Sequence, residues 1–157
     1  TGGLIASGAT VGILSTAFVL ANSATNFGWG ILADRFGFRV VFVSSLLLWS
    51  GAAGVVLLAG TLSGFVLAFV GVGAGMGGFQ MAAQNMVLEF GHRRDLPVRI
   101  ALANSAQEFV GFLGPLLGGA LAMAYSKQSV IAIALVCQLC AVVLLIRLVP
   151  EPRFRDS

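Results

Sequence analysis

Glu108 is the only charged residue between Arg99 and Lys127, in the stretch RIALANSAQEFVGFLGPLLGGALA and the few residues after it. Asn104 lies four residues before it and Gln107 three residues after Asn104, a spacing that puts all three side chains on one face of a helix. A carboxyl in hydrocarbon costs about 2.5–3.5 kcal/mol at a helix centre, so one found there is by default a functional group. Its chemistry would be to bind and release a proton, while neighbouring amides hold water or a polar solute. Two more amide pairs stand four apart, Asn22 with Asn26 and Gln80 with Gln84. The alternative role for all of them is hydrogen bonding across packed helices, worth about 1 kcal/mol or less each. A second constellation is GWGILADRFGFR, where Asp34, Arg35 and Arg39 fall within six positions, with Gly30 ahead of them and Gly37 among them, in a chain with only 10% charged residues.

The elements that must position these groups are membrane helices. Of the 157 residues, 58% are hydrophobic and 21 are glycine, and the mean hydropathy is +0.98. Five apolar runs recur, over about 3–27, 40–59, 62–88, 100–125 and 130–149. Each is near the roughly 20 residues needed to cross about 30 Å of hydrocarbon. Stretches such as VVFVSSLLLW are apolar on every side, which excludes the alternation of a barrel strand. The expected architecture is therefore an all-α integral membrane bundle of five transmembrane helices over 1–149, with a short cytoplasmic tail at 150–157. Counted along the fourth span at about 1.5 Å per residue, Glu108 lies roughly 14 Å from the cytoplasmic surface, close to the midplane. No basic leader precedes the first run and no initiator Met is present, so TGGLIASG reads as an opening inside a longer protein rather than a signal peptide.

Charge sets the orientation. The net charge is +3, and eight of the nine basic residues lie in the first and third gaps or at the C-terminal end; only Lys127 falls on the other side. By the positive-inside rule those gaps and the C-terminus are cytoplasmic. An odd number of spans demands termini on opposite sides, in agreement. The basic balance thus reports topology and not nucleic-acid binding. The expected location is a multi-pass protein of the plasma, or inner, membrane, with the lipid bilayer as its first partner.

Enzyme and cofactor chemistries lack their residues. Cys137 and Cys140 form a CxxC with no second Cys or His pair to complete a metal site; they read as small apolar residues one turn apart. Gly73, Gly75 and Gly78 satisfy GxGxxG, but inside a membrane helix rather than between a strand and a helix, where a dinucleotide site would need it. His92 is a solvated loop residue beside Arg93 and Arg94, and no HExxH or GxSxG occurs. No cofactor, no metal and no enzymatic activity are expected.

Small residues mark the packing faces. Gly71, Gly73, Gly75, Gly77 and Gly78 stripe the third span, and Gly111, Gly114, Gly118 and Gly119 surround Pro115 in the fourth. Such faces let backbones approach closely, and Pro115 removes one helix hydrogen bond, so the fourth span should flex or slide there. Pro97 sits where a helix start tolerates it, and the short link around Gly60 and Thr61 makes the second and third spans a tight hairpin.

Gly30, Asp34, Arg35, Gly37 and Arg39 resemble the signature loop of the major facilitator superfamily, G-x-x-x-D-[RK]-x-G-[RK]-[RK]. Phe38 departs from it where the family usually carries Arg or Lys. The stretch Arg99 to Ala122, with Gly111, Gly114, Pro115, Gly118 and Gly119, is similar to the family's Gly/Pro-rich helix. The resemblance implies a fold of twelve helices in two related halves, of which five helices would be either eight to twelve or two to six. The lack of an Arg in the third span favours the C-terminal half. It implies a secondary active transporter, a permease moving a small solute by alternating access, with H+ as a candidate coupling ion. Asn22, Asn26, Gln80, Gln84, Asn104, Gln107 and Glu108 would line the pathway. Asp34, supported by Arg35 and Arg39, would latch the two halves, with Gly30 and Gly37 permitting close approach and a tight turn, and the missing half of the same chain would be the structural partner. The alternative is a non-transporting membrane scaffold or receptor-like protein of the same fold.

Overall fold

The computed structural model describes residues 8–89 and 95–149, and they form five helices: α1 Gly8–Phe36, α2 Phe38–Leu58, α3 Leu62–Glu89, α4 Leu96–Ala124 and α5 Lys127–Leu148. All five are long and apolar enough to cross a membrane, as the apolar runs require. His92, Arg93, Arg94 and the tail 150–157 lie outside the described residues. The helix boundaries follow hydrogen bonding rather than hydropathy. α1 therefore continues past Phe27, through Asp34 and Arg35, to Phe36. The charged cluster is the last turn of one helix and the first turn of the next.

A single residue joins α1 to α2. Gly37 has φ 86°, and it is the one positive-φ residue among those described. A side chain in that left-handed region would be strained, so glycine is what allows the chain to reverse without a longer loop. Its N–H closes α1 by donating to the Ala33 carbonyl at 2.8 Å.

The α2–α3 hairpin turns through Ala59, Gly60 and Thr61; the Ala59 N–H caps α2 on the Val55 carbonyl, and Thr61 Oγ1 accepts from Gly64 N–H at the start of α3. Pro97 occupies the first turn of α4, where its missing N–H is one of the donors that has no helical partner anyway. Ser126 caps α5 by accepting from the Ser129 N–H at 3.2 Å.

α3 is the centre. It packs along α2 and along α1, while α5 lies against α2 and α4 touches α3 and α5 only lightly. The buried core gathers Ala33 from the C-terminal end of α1, Phe38 and Val41 from the start of α2, and Ala82 and Met86 from the C-terminal part of α3. Close approach along α3 is set by its glycines. A Cβ on Gly73 would run into the Phe18 carbonyl of α1, and one on Gly77 would lie 2.9 Å from the Asn22 carbonyl oxygen. On the opposite side, Cβ atoms on Gly71, Gly75 and Gly78 would come within 2.7–2.9 Å of Ala52, of Ser45 and Trp49, and of Trp29 and Ser45. The Trp29 indole N–H donates to the Ala74 carbonyl at 2.9 Å, a bond from α1 to α3 that only this closeness permits. In α4, by contrast, no residue is buried.

Candidate functional site

Because α4 stands off from α3, a cavity of about 810 Å³ opens between them. Four amides found separately in the sequence meet there: Gln80 and Gln84 from α3, Asn104 and Gln107 from α4. Their spacing explains the meeting. Each pair is three or four residues apart, so each forms one short stripe on its helix; one stripe lies in the C-terminal half of α3 and the other in the N-terminal half of α4, the ends that the link between them joins. None of the four side chains hydrogen-bonds another described residue. In hydrocarbon four unpaired amides would be costly, so the space between them suits water or a polar solute.

The remaining wall is apolar. Trp49 of α2 lies with Met76 and Phe79 of α3 at the end nearest the middle of those helices, and the aliphatic side chains Val87, Leu88, Ile100 and Val110 line the sides. Phe79 is gripped on both sides, with its ring centroid 5.1 Å from Phe42 and 6.0 Å from Trp49 in an edge-on arrangement. Such aromatic contacts hold the ring in one orientation. Trp49 also borders a second, smaller space of about 470 Å³ between α2 and α5, closed at one point by Gln138, whose amide donates to the Leu46 carbonyl at 3.4 Å.

The other expected pathway residues are placed differently. Asn22 and Asn26 lie on the far side of α3, against Gly77, where Asn26 Oδ1 would be 3.0 Å from an added Cβ. They face the α1–α3 seam and do not line the cavity. Glu108 is one residue past Gln107 on α4, a step of about 100° around the helix; it is exposed, does not line the cavity, and has no ion pair among the described residues. Gly111 borders the cavity, and Pro115 has no N–H to offer the Gly111 carbonyl, so the wall carries one backbone acceptor released from helix duty. Gly114, Gly118 and Gly119 have nothing within 4 Å of an added Cβ.

At the α1–α2 junction, Asp34 and Arg35 are exposed in the last turn of α1. Arg35 is well placed against the negative end of that helix, and Asp34 is not. Arg39, in the first turn of α2, donates through its guanidinium to the Ile146 carbonyl in the final turn of α5. That carbonyl is one of the last four of its helix and has no N–H of its own to accept. Gly30 is roomier than the spacing suggests, with only Met81 Cε at 3.7 Å from an added Cβ.

Trp49 and Phe79 carry no polar motif, and the sequence offered one signal for the former: a Trp at mid-span in α2 rather than at an interface, where Trp usually gathers. Compared with known proteins, the chain matches the family model described as Major Facilitator Superfamily over residues 2–157. No curated protein and no solved structure matches it.

Proposed function

The chain belongs to the Major Facilitator Superfamily, and from that premise we propose that it works by alternating access, with the α3–α4 cavity as part of the solute pathway. The membership makes it a multi-pass membrane protein and a transporter of small solutes, the family's members being transporters rather than enzymes. The observation that carries the finer reading is the convergence of Gln80, Gln84, Asn104 and Gln107, all without hydrogen-bond partners among the described residues, on one cavity of about 810 Å³.

Alternating access needs two bundles that rock against each other around a site near the midplane. The five helices supply one, and a second half of the same chain supplies the other. α1, α2 and α3 move as a unit, because their glycine contacts leave no slack. α4 provides the compliant wall, through Pro115 and the glycines around it. The loop cluster of Gly30, Asp34, Arg35, Gly37 and Arg39 acts as the latch at the cytoplasmic face, and Arg39 adds a tie that makes the end of α5 move with it. Asn22 and Asn26 take part at the α1–α3 seam. The C-terminus is cytoplasmic, in the plasma, or inner, membrane.

Glu108 is the coupling group in this scheme. A carboxyl at this depth cannot face lipid without cost, and the helix face that bears it is left uncovered by the other described residues. Facing the second bundle, it would take a proton in one state and lose it in the other. The test is solute flux in vesicles holding the whole transporter, with and without a proton gradient. Gradient-driven flux that disappears in Glu108→Gln, while downhill exchange continues, is the expected result. Flux with unchanged gradient dependence removes Glu108 from the mechanism, and absence of flux for every solute favours a non-transporting scaffold.

A further inference from the structure

We infer that the solute taken by the α3–α4 cavity is electrically neutral where it binds and has a flat apolar face beside its hydrogen-bonding groups; this rests on the reading of the cavity as a transport pathway. None of the fifteen residues lining the cavity is ionisable. Glu108 and Arg99, next in the chain to the lining residues Gln107 and Ile100, are not among those that line it. A charged solute would therefore shed its water without meeting an opposite charge on this wall, and such burial is strongly disfavoured.

Apart from the Trp49 indole, the polar side chains present are of one kind. Gln80, Gln84, Asn104 and Gln107 each offer two N–H donors and one carbonyl acceptor, so they match hydroxyls, amides and ring carbonyls that need both. Sites built to hydrogen-bond a solute reject analogues lacking the partner group strongly, because their own amides are then left unpaired. The aromatic groups stand at one end. Phe79, held edge-on to Trp49 and tilted against Phe42, presents a fixed ring. The Trp49 indole makes no hydrogen bond to a described residue, whereas that of Trp29 is committed to Ala74. An aromatic end with an amide-lined remainder fits a solute with one flat face and one polar side. The volume of about 810 Å³ lies within the roughly 300–1,000 Å³ of small-molecule sites.

Binding and flux of three neutral probes, phenyl β-glucoside, uridine and N-acetyltyrosine amide, would be compared with derivatives of each carrying one carboxylate or one ammonium group. The whole transporter is used, in detergent for binding and in vesicles for flux. At least one neutral probe is expected to bind at least ten-fold more tightly than both its charged derivatives. Gln84→Leu and Gln107→Leu, both at exposed positions where folding is not at stake, should weaken it about ten-fold, with Gln107→Asn restoring part. A charged derivative bound as well as its neutral parent, neutral binding untouched by both leucine variants, or no binding of any probe would overturn the inference. Failure of the transport reading looks different: a probe bound with this dependence that does not cross the membrane.

Discussion

A methyl group added at Gly73 in α3 would strike the Phe18 carbonyl of α1, and at Gly78 it would meet Trp29 and Ser45 at 2.7–2.8 Å; at Gly111, Gly114, Gly118 and Gly119 in α4 the same methyl meets nothing within 4 Å. Both helices carry glycines at spacings that read alike in sequence. In α3 the glycines lie on two opposite faces and bring two neighbours to backbone contact, which fixes three helices as one body. In α4 they weaken a helix that has no buried residue, and one of them, Gly111, borders the cavity. Glycine spacing in a membrane helix therefore announces small volume, and only the neighbours decide whether that volume is a lock or a free surface.

The contrast can be broken by substitution. The largest expected effect is at Gly73. A leucine there must push α1 away along its length, and most of the protein should fail to fold, seen as loss of the monodisperse species in detergent. Gly73→Ala should destabilise by about 1–3 kcal/mol, the usual cost of overpacking, measured by reversible unfolding. Gly118→Ala, by the same measurement, should stay within about 0.5 kcal/mol of wild type, as open sites do. Equal losses at both glycines would erase the distinction between the two helices.

Smaller changes sharpen it. Trp29→Phe keeps an aromatic ring near Gly78, though a smaller one, and removes the N–H bond to Ala74; the lost bond should cost about 1 kcal/mol or less, and solute affinity should be unchanged, since Trp29 does not line the cavity. Pro115→Ala restores a donor for the Gly111 carbonyl. It should leave stability nearly constant or slightly raised while slowing the maximal flux several-fold, separating a flexible wall from a merely loose one. Arg39→Gln, the mildest, removes a guanidinium from the end of α5 at a cost of about 0.3–1 kcal/mol. It should show as faster amide exchange in the last turn of α5 and not in α3.

Much of this was legible in the residues. Five helices follow from apolar runs that no soluble fold could hide, and the reversal at Gly37 follows from a glycine set between charged turns. The amide pairs were visible on α3 and α4 because ionisable and amide groups are scarce in such spans. That the amides would line one pathway was expected; which of them share a cavity was not legible, since it depends on how far α4 stands off from α3. Nor was the separation of Asn22 and Asn26 from the other four amides. Asn22, Asn26, Gln80 and Gln84 share the same i, i+4 signature, but α3 lies between them, with its Gly77 face turned to one set and its Gln80 face to the other. Trp49 left a single trace, its mid-span place in α2, and that trace does not tell of the two cavities it borders.

The α3–α4 cavity as the solute route is tested most directly by thiol accessibility. With Cys137 and Cys140 replaced by alanine, single cysteines at Gln84, Gln107 and the buried Ala82 would be exposed, in membranes holding the whole transporter, to a charged, membrane-impermeant thiol reagent. Labelling at Gln84→Cys and Gln107→Cys that is slowed by transported solute, with Ala82→Cys unreactive, is the predicted result. Unreactive cysteines at both amide positions, or labelling there that solute does not change, would contradict it.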